Sequence, residues 1–312
     1  MKVILDVDTG IDDTLNLAYL AALEDVELIG VTCVYGNTDV DQATRNTLGL
    51  LDLFGRSDVP VYRGAGHASQ NSTYEQQRGS KIFHGDNGIG NVTLDVTRQY
   101  EALDAASFLV ESARKYGQEL VIIASGPLTN LADAIKMDPD VMSRVGKLSL
   151  MGGALCVPGN VSAVAEANIM QDPESSKVVF QSDMEIIMVG LDVTSRAIFS
   201  RNDLESWKQG SAKAQTVYAI MDHYFKAHEL IYPAWNGAAM HDPLAVIALL
   251  RPDLVSTSKF KIDVLTDEKQ WGRTVMDVNI QNELKKPNVS VALDLDVEGF
   301  KNEVITTINK IL

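Results

Sequence analysis

Cysteine is scarce in this chain: Cys33 and Cys156 are the only two, and neither lies in a CxxC pair. Neither a disulfide framework nor a thiolate metal site is indicated, and the expected compartment is the cytoplasm. Long apolar runs are missing as well. Leu244-Ala245-Val246-Ile247-Ala248-Leu249-Leu250 is typical of the longest, far short of the roughly 18 residues that mark a membrane span. The opening Met1-Lys2-Val3-Ile4-Leu5-Asp6 reads as a strand beginning at once, so no signal peptide is expected. Basic residues are outnumbered, 27 Lys and Arg against 42 Asp and Glu, giving a formal charge of −15. Such a surface repels phosphate backbones and anionic lipid. The expected partners are therefore neutral small molecules or cations, with no nucleic acid and no membrane. There is no GxxxxGK[ST] phosphate loop and no GxSxG elbow, and the glycines of Gly85 to Gly90 have the wrong spacing for a dinucleotide fingerprint.

What is present is an ordinary globular composition, 46% hydrophobic and 22% charged over 312 residues, enough for a sizeable core. Buried-strand runs alternate with helical periodicity. Val3-Ile4-Leu5 precedes Leu15, Ala18, Tyr19 and Ala22 at helical spacing. Leu28 to Val34 reads as a second strand, followed by a helix from about Asp41 to Phe54, and Val59 to Tyr62 as a third strand. Leu120 to Ala124 is a near-continuous hydrophobic strand leading through Ser125-Gly126-Pro127 into a helix, and Lys147 to Met151 and Glu185 to Val189 continue the pattern. The alternation predicts an α/β fold, a parallel sheet buried between helices. Phe260 to Val264, Thr274 to Val278 and Val289 to Leu293 read as shorter strands, and Val297 to Leu312 as a final amphipathic helix. With no repeat, low-complexity tract or Pro/Ser-rich linker, residues 1–312 read as one domain. Arg63 to Thr97 differs: rich in Gly, Ser, Asn and Gln, without a clear period, it is too long for an inert connection and reads as functional or mobile.

The chemistry concentrates in Asp6-Val7-Asp8-Thr9-Gly10-Ile11-Asp12-Asp13, four carboxylates in eight residues where a strand meets a helix. Helix capping accounts for one or two of them. Like charges so close are costly unless a cation joins them or some take up protons. The carboxyl ends of strands are also where open α/β sheets place ligands. Hard oxygens without His or Cys favour Ca²⁺ or Mg²⁺ over Zn²⁺. Ser125, through its carbonyl, and Asp242, in Met240-His241-Asp242-Pro243, are further oxygen sources. Asp242 also suits the simpler role of a helix cap. Gly36-Asn37, His84-Gly85, Asn160 and Glu166-Ala167-Asn168 are polar groups in apolar or Gly-rich surroundings, where each alone fits a turn.

Together these segments resemble the inosine-uridine-preferring nucleoside hydrolase family. The resemblance runs through the Asp6–Asp13 motif, Val34-Tyr35-Gly36-Asn37 with Arg45-Asn46, His84-Gly85 and Ser125-Gly126-Pro127-Leu128-Thr129-Asn130. It continues through Leu150-Met151-Gly152-Gly153, Val164 to Asn168 with Asp172-Pro173-Glu174, Val189 to Thr194, and His241-Asp242-Pro243, in the family's order over nearly the whole chain. The resemblance implies a single doubly wound, mostly parallel sheet with a Rossmann-like core, assembled as a homodimer or homotetramer. It implies hydrolysis of the N-glycosidic bond of ribonucleosides with one bound Ca²⁺. By the same resemblance, Asp8, Asp13, Asp242 and the carbonyl of Ser125 are calcium ligands, Asp8 is also the general base on water, and His241 protonates the departing base. Asp12, Asn37 and Asn168 would hold the ribose diol, Asn160 and Glu166 the 5′-hydroxyl, and His84 the base, with His223, Tyr224 and His228 as pocket wall. A histidine titrating near neutrality suits the acid role. Two places bear on the base: Ala167 stands where the family commonly has a bulky aromatic, and the wall of His223, Tyr224 and His228 varies within the family, while His241 favours the broad or pyrimidine-leaning members.

Two other classes fit parts of the pattern. Asp6-x-Asp8-x-Gly10 after a first strand is similar to haloacid-dehalogenase-like phosphatases, but the downstream Gly-Asp-x-x-x-Asp those need is missing and Asp12-Asp13 stays unexplained. A non-catalytic nucleoside- or calcium-binding protein would have no use for both a base candidate, Asp8, and an acid candidate, His241. Transfer of ribose to phosphate would call for a basic anion site, which the sequence does not offer.

Overall fold

The computed structural model describes residues 1–276 and 287–312. Strand β1 (Lys2–Val7) is buried at every position after its first. It pairs in parallel with β2 (Glu27–Cys33) on one side and β4 (Leu120–Ala124) on the other, placing Leu5 opposite Val31 and Ile123. Beyond β2 lies β3 (Val61–Arg63), and beyond β4 lie β5 (Lys147–Met151) and β6 (Ile186–Val189). Two short strands, β7 (Ile198–Phe199) and β8 (Ala238–Ala239), pair with each other. The edge of the main sheet is made by β9 (Val255–Phe260), antiparallel to its neighbour β12 (Val289–Leu295), which is itself parallel to β6. A separate hairpin joins β10 (Ile262–Leu265) to β11 (Arg273–Met276). The eight-stranded order is β3-β2-β1-β4-β5-β6-β12-β9.

Both faces of this sheet are covered. Val3, Leu5 and Val7 pack into one apolar cluster, while Ile4 between them packs into the other with Ile122 and Ala124. Alternating side chains of a strand point to opposite faces, so strands buried on both sides read as continuous apolar runs. Each fully buried Leu, Ile or Val contributes roughly 1.5–3 kcal/mol relative to exposure. Helices start where the sequence supplies an acceptor: Asp39 caps Val40–Leu53 through Gln42 N–H, Asp104 caps Ala105–Tyr116 through Ser107 N–H, and Ser211 caps Ala212–Ile231 through Ala214 N–H. Such caps are typically worth about 1 kcal/mol.

The winding places the site. The chain builds β1, β2 and β3 toward one edge, then returns to β4 and builds toward the other. The crevice at the carboxyl ends of β1 and β4 is the topological switch point where open α/β sheets bind ligands. Asp8 and Ser125 follow those two strands directly.

Several local expectations shift. The third strand lies at Val61–Arg63, starting two residues and ending one residue later than expected. The run from Phe260 to Val264 is divided between β9 and β10, with Lys261 at the break. The final helix stops at Ile308, and positions 277–278 of the expected strand after Thr274 lie outside the described residues. The region after Arg63 contains the helix Arg78–His84 and is tied down: Tyr74 Oη donates to the Gly36 carbonyl at 2.7 Å, and Ser69 Oγ to Asp172 at 2.7 Å. Its polar, aperiodic composition hid an order that comes from side-chain hydrogen bonds.

Candidate active site

At the end of β1 the chain turns into the helix Asp13–Ala21, and the turn delivers Asp8, Asp12 and Asp13 to one place. Asp242 joins them from the N-terminus of the helix His241–Leu250, where its backbone N–H faces Asp12 Oδ2 at 3.4 Å. That helix is buried on nearly every side, and its partly unpaired N-terminal amides favour nearby carboxylates. Asp6 does not belong to the cluster. It accepts from Thr32 Oγ1 and from Asn130 Nδ2 at 2.8 Å, so it ties β1 to β2 and to the helix Thr129–Met137. Three of the four aspartates in the sequence motif therefore meet here, and the fourth carboxylate comes from far along the chain.

Asp8 and Asp13 are held by nearby donors. Asn37 donates its backbone N–H to Asp8 Oδ2 at 2.7 Å and its Nδ2 to Oδ1 at 3.1 Å. Asp13 accepts from Gly10 N at 2.9 Å, Asn16 Nδ2 at 3.2 Å and Ser125 Oγ at 2.6 Å. The backbone comes so close to Asp8 that a Cβ on Gly36 would stand 2.0 Å from Oδ2, and one on Gly126 3.1 Å from the Asp8 Cβ. Position 36 therefore needs glycine, and a side chain at 126 would press on Asp8 and on Val34 Cγ1, 2.8 Å away.

Burial, with added repulsion from neighbouring carboxylates, drives the group upward in pKa. Asp8 and Asp242 are pushed well above the usual carboxylate range, first by burial and then by Asp13 and by Asp12 respectively. Burial raises Asp12 to about 6, and burial with Asp12's charge raises Asp13 to about 7. Among the described residues no three His, Cys, Asp or Glu side chains already converge at metal-ligand spacing. The donor set nevertheless fits a hard divalent cation, because all its atoms are oxygens and four mutually repelling carboxylates lack a counter-charge. Solvent and main-chain oxygens would complete a flexible calcium shell.

A cavity of about 180 Å³ opens above the cluster, lined by Asp12, Asn37, Ser125, Asn168, Glu166 and Asp242 on one side. Asp8 and Asp13 lie beneath its floor, 1% and 0% exposed. Asn168 donates Nδ2 to the carbonyls of Ser125 at 2.9 Å and Met151 at 3.1 Å. Asn37 likewise commits its Nδ2, to Asp8. Both amides thus keep Oδ1 for another partner, and this end of the cavity presents mostly acceptors. Glu166 is engaged with backbone: it caps Ala167–Gln171 through Asn168 N at 2.8 Å and Ile169 N at 3.2 Å, and accepts from Gly153 N at 3.0 Å. Asn160 sits exposed at the rim, accepting from Ala167 N at 3.1 Å.

The opposite side is aromatic. Phe83, His84, Tyr224, His228, Tyr232, Trp235 and His241 all line the cavity, with Tyr232 and Trp235 stacked at 4.6 Å and Tyr224 edge-on to His228 at 4.3 Å. Tyr224, His228 and Tyr232 recur every four residues along and just beyond the helix Ala212–Ile231, a spacing that puts them on one face. That periodicity is the signal by which Tyr232 could have been found; Phe83 and Trp235 carry none. His223, expected on the wall, is not a lining residue, and its Nε2 meets the Ile82 carbonyl at 3.2 Å.

Partners decide the tautomers of two histidines. Ile11 N–H donates to His84 Nδ1 at 3.1 Å, so the proton of neutral His84 is on Nε2. The Tyr224 carbonyl, 3.0 Å from His228 Nδ1, can only accept, so His228 carries its proton on Nδ1 and leaves Nε2 as an acceptor. Burial lowers His84 to about 3 and His228 to about 4. His241, 2.8 Å from Thr194 Oγ1 through Nδ1, is lowered by burial and by His228 to about 3. The expectation of a resting histidine that titrates near neutrality is therefore corrected: the His241 imidazole is neutral at physiological pH, because the pocket excludes the water that would solvate its charged form.

Residues 3–302 match the family described as inosine-uridine preferring nucleoside hydrolase. The chain is 36% identical over 309 residues to uridine nucleosidase 1 of Arabidopsis thaliana, across 96% of this chain and 90% of that protein. It is 33% identical to the pyrimidine-specific ribonucleoside hydrolase RihA of an Enterobacter species, across 96% and 95%. Among solved structures, a purine-preferring ribonucleoside hydrolase from Gardnerella vaginalis superposes with a TM-score of 0.97 at 39% identity, covering 100% of this chain and 99% of that one. No helix among the described residues is long and apolar enough to cross a membrane. The phosphatase and non-catalytic readings give way to these likenesses. The chain belongs to the inosine-uridine preferring nucleoside hydrolase family, enzymes that hydrolyse ribonucleosides.

Proposed function

We propose that this enzyme hydrolyses inosine- and uridine-type ribonucleosides with one calcium ion, Asp8 acting as general base and His241 as proton donor to the leaving base. The observation that carries the reading is the meeting of four buried carboxylates, Asp8, Asp12, Asp13 and Asp242, with a wall of neutral histidines and aromatics around one cavity. Asp8, Asp13, Asp242 and the Ser125 carbonyl would hold the cation, which when bound supplies the charge that orients the ribose 2′- and 3′-hydroxyls and acidifies a water.

Asp8, fixed through both oxygens by Asn37, takes the proton of the water that attacks C1′. As the N-glycosidic bond breaks, positive charge grows on the ribosyl group. Acceptors aimed at that charge stabilise it: Asp12 and the Oδ1 atoms of Asn37 and Asn168. The electron pair of the bond leaves with the base. As negative charge grows on the base, His241 takes up a proton to become the imidazolium and passes its Nε2 proton to the base, returning to the neutral imidazole. Thr194 Oγ1, 2.8 Å from Nδ1, accepts from Nδ1–H of that imidazolium and aims Nε2 at the base. Asn160 and Glu166 face the 5′-hydroxyl.

The tautomers support a preference for oxo bases. A fixed Nε2–H donor on His84 and a fixed Nε2 acceptor on His228 complement the adjacent carbonyl and N–H of hypoxanthine or uracil. With His241 at the leaving base, a broad or pyrimidine-leaning range follows. The test is a reducing-sugar assay on a ribonucleoside panel without added phosphate, with phosphate monoesters as controls. Free ribose from inosine and uridine is expected. Release only with phosphate, or only from monoesters, would overturn the reading.

A further inference from the structure

Asp8 is gripped by a peptide whose other end is itself held. The Gly36–Asn37 peptide unit donates its N–H, that of Asn37, to Asp8 Oδ2 at 2.7 Å. Its carbonyl, that of Gly36, accepts from Tyr74 Oη, also at 2.7 Å. A peptide unit is planar, so fixing the carbonyl fixes the direction of the N–H across from it. Hydrogen bonds in series also polarise one another, and a donor on the carbonyl makes the N–H a stronger partner for a carboxylate. The next carbonyl along is taken in the same way. Gln76 Nε2 donates to the Asn37 carbonyl at 2.7 Å and to the Gly85 carbonyl, beside His84, at 3.2 Å.

The Tyr74 ring packs against a small apolar cluster of Val34, Tyr35 and Ala68, with its centroid 5.4 Å from that of Tyr35. Burial and the nearby charges of Asp8 and Asp39 raise the pKa of its phenol, so it stays a protonated donor. Neither Tyr74 nor Gln76 lines the nucleoside cavity, and their route to the reacting atoms is the turn at Gly36 and Asn37. Both belong to the stretch that leads into the helix Arg78–His84, so the docking of that stretch and the aim of Asp8 are one arrangement.

We propose that Tyr74 is a positioning residue for the hydrolysis, holding the Gly36–Asn37 peptide so that Asp8 keeps its aim at the attacking water, with Gln76 holding the following peptide to the same end. The proposal rests on Asp8 as the general base. It gives the polar segment after Arg63 a part in water activation, exerted without contact with the sugar or the nucleobase.

The experiment measures kcat and KM at saturating calcium for uridine and p-nitrophenyl riboside in wild type, Tyr74→Phe and Gln76→Met, each variant alone and combined with Asp8→Asn. Tyr74→Phe removes the hydroxyl and keeps the ring, and Gln76→Met keeps the length and removes the donor. Each should lower kcat about three- to tenfold, the effect of one hydrogen bond, and leave KM within about twofold. The loss should be equal on the two substrates, because both need the water and only uridine needs a proton for its leaving group. Beside Asp8→Asn the Tyr74→Phe loss should shrink below about twofold, since no base remains to be aimed, whereas a merely structural role would carry through unchanged. A Tyr74→Phe kcat within about twofold of wild type, a change confined to KM, a larger loss on uridine, or an undiminished loss beside Asp8→Asn would overturn the proposal and leave the hydrolase reading standing. No turnover of uridine or inosine by the wild type would instead sink the hydrolase reading, and this inference with it. Because the two variants act on different carbonyls, Gln76→Met decides the same question if Tyr74→Phe fails to fold.

Discussion

Asn37 holds both oxygens of Asp8, one through its backbone N–H at 2.7 Å and the other through its side-chain Nδ2 at 3.1 Å. A carboxylate so gripped cannot rotate, and its remaining lone pairs point in fixed directions. The turn that makes this possible has glycine at position 36, because any side chain there would collide with Asp8.

The first prediction concerns that pair. Asp8→Asn keeps the shape and removes the base, and should cut kcat by about 10²–10⁴-fold, the usual range for general base catalysis. Asn37→Ala leaves the base but frees its orientation, and should cost less. Stopped-time assays on inosine, with circular dichroism as a folding control, check both. Near-normal turnover of Asp8→Asn would remove Asp8 from the base role.

A second prediction separates proton donation from binding. His241→Ala should lower kcat on inosine and uridine by about 10²–10⁴-fold, while p-nitrophenyl riboside, whose leaving group departs without a proton, should lose no more than about tenfold. Equal losses on the two kinds of substrate would show that His241 acts in some other way.

The repelling carboxylates give a third. Exhaustive chelation should abolish activity and, relative to protein at about 100 times the dissociation constant of calcium, lower Tm on the order of 5–10 °C. Added Ca²⁺ should restore both. Full activity in protein shown by elemental analysis to hold no divalent metal would contradict a cation in the cluster.

Neutral, buried histidines give the fourth. His228 is lowered from 6.5 to about 4, so between those values the unfolded chain binds a proton that the folded chain does not. Its contribution to stability is complete above pH 6.5 and is lost as pH falls toward 4, by at most about 2 kcal/mol at pH 5. Urea unfolding of wild type and His228→Gln at pH 7.5 and pH 5 isolates this group from the carboxylates. The variant should lose less stability on acidification than the wild type. An equal loss would show that His228 is already solvated.

The parallel sheet was legible because its strands are buried on both faces and so write themselves as unbroken apolar runs, Leu120–Ala124 above all. The aspartate motif was legible because the chain cannot crowd carboxylates for the sake of folding alone. Less could be read where order depends on partners distant in sequence. The helix Arg78–His84 sits in a polar stretch without period, and its neighbouring loop is fastened by Tyr74 to the Gly36 carbonyl and by Ser69 to Asp172. Counting Asp6 into the acidic cluster was natural from spacing, yet Thr32 and Asn130 claim it.

Local periodicity and composition, then, determined the kind of sheet, the position of the acidic turn at the end of its first strand, and the hard-oxygen character of the site. Tertiary structure alone decided that Asp6 is drawn away from the cluster, that Phe83, Tyr232 and Trp235 form one wall, and that His241 rests uncharged. The physical reason is the same in each case. Strand and helix patterns are set by neighbours in sequence, whereas burial, protonation and tautomer are set by whatever the fold brings within a few ångströms.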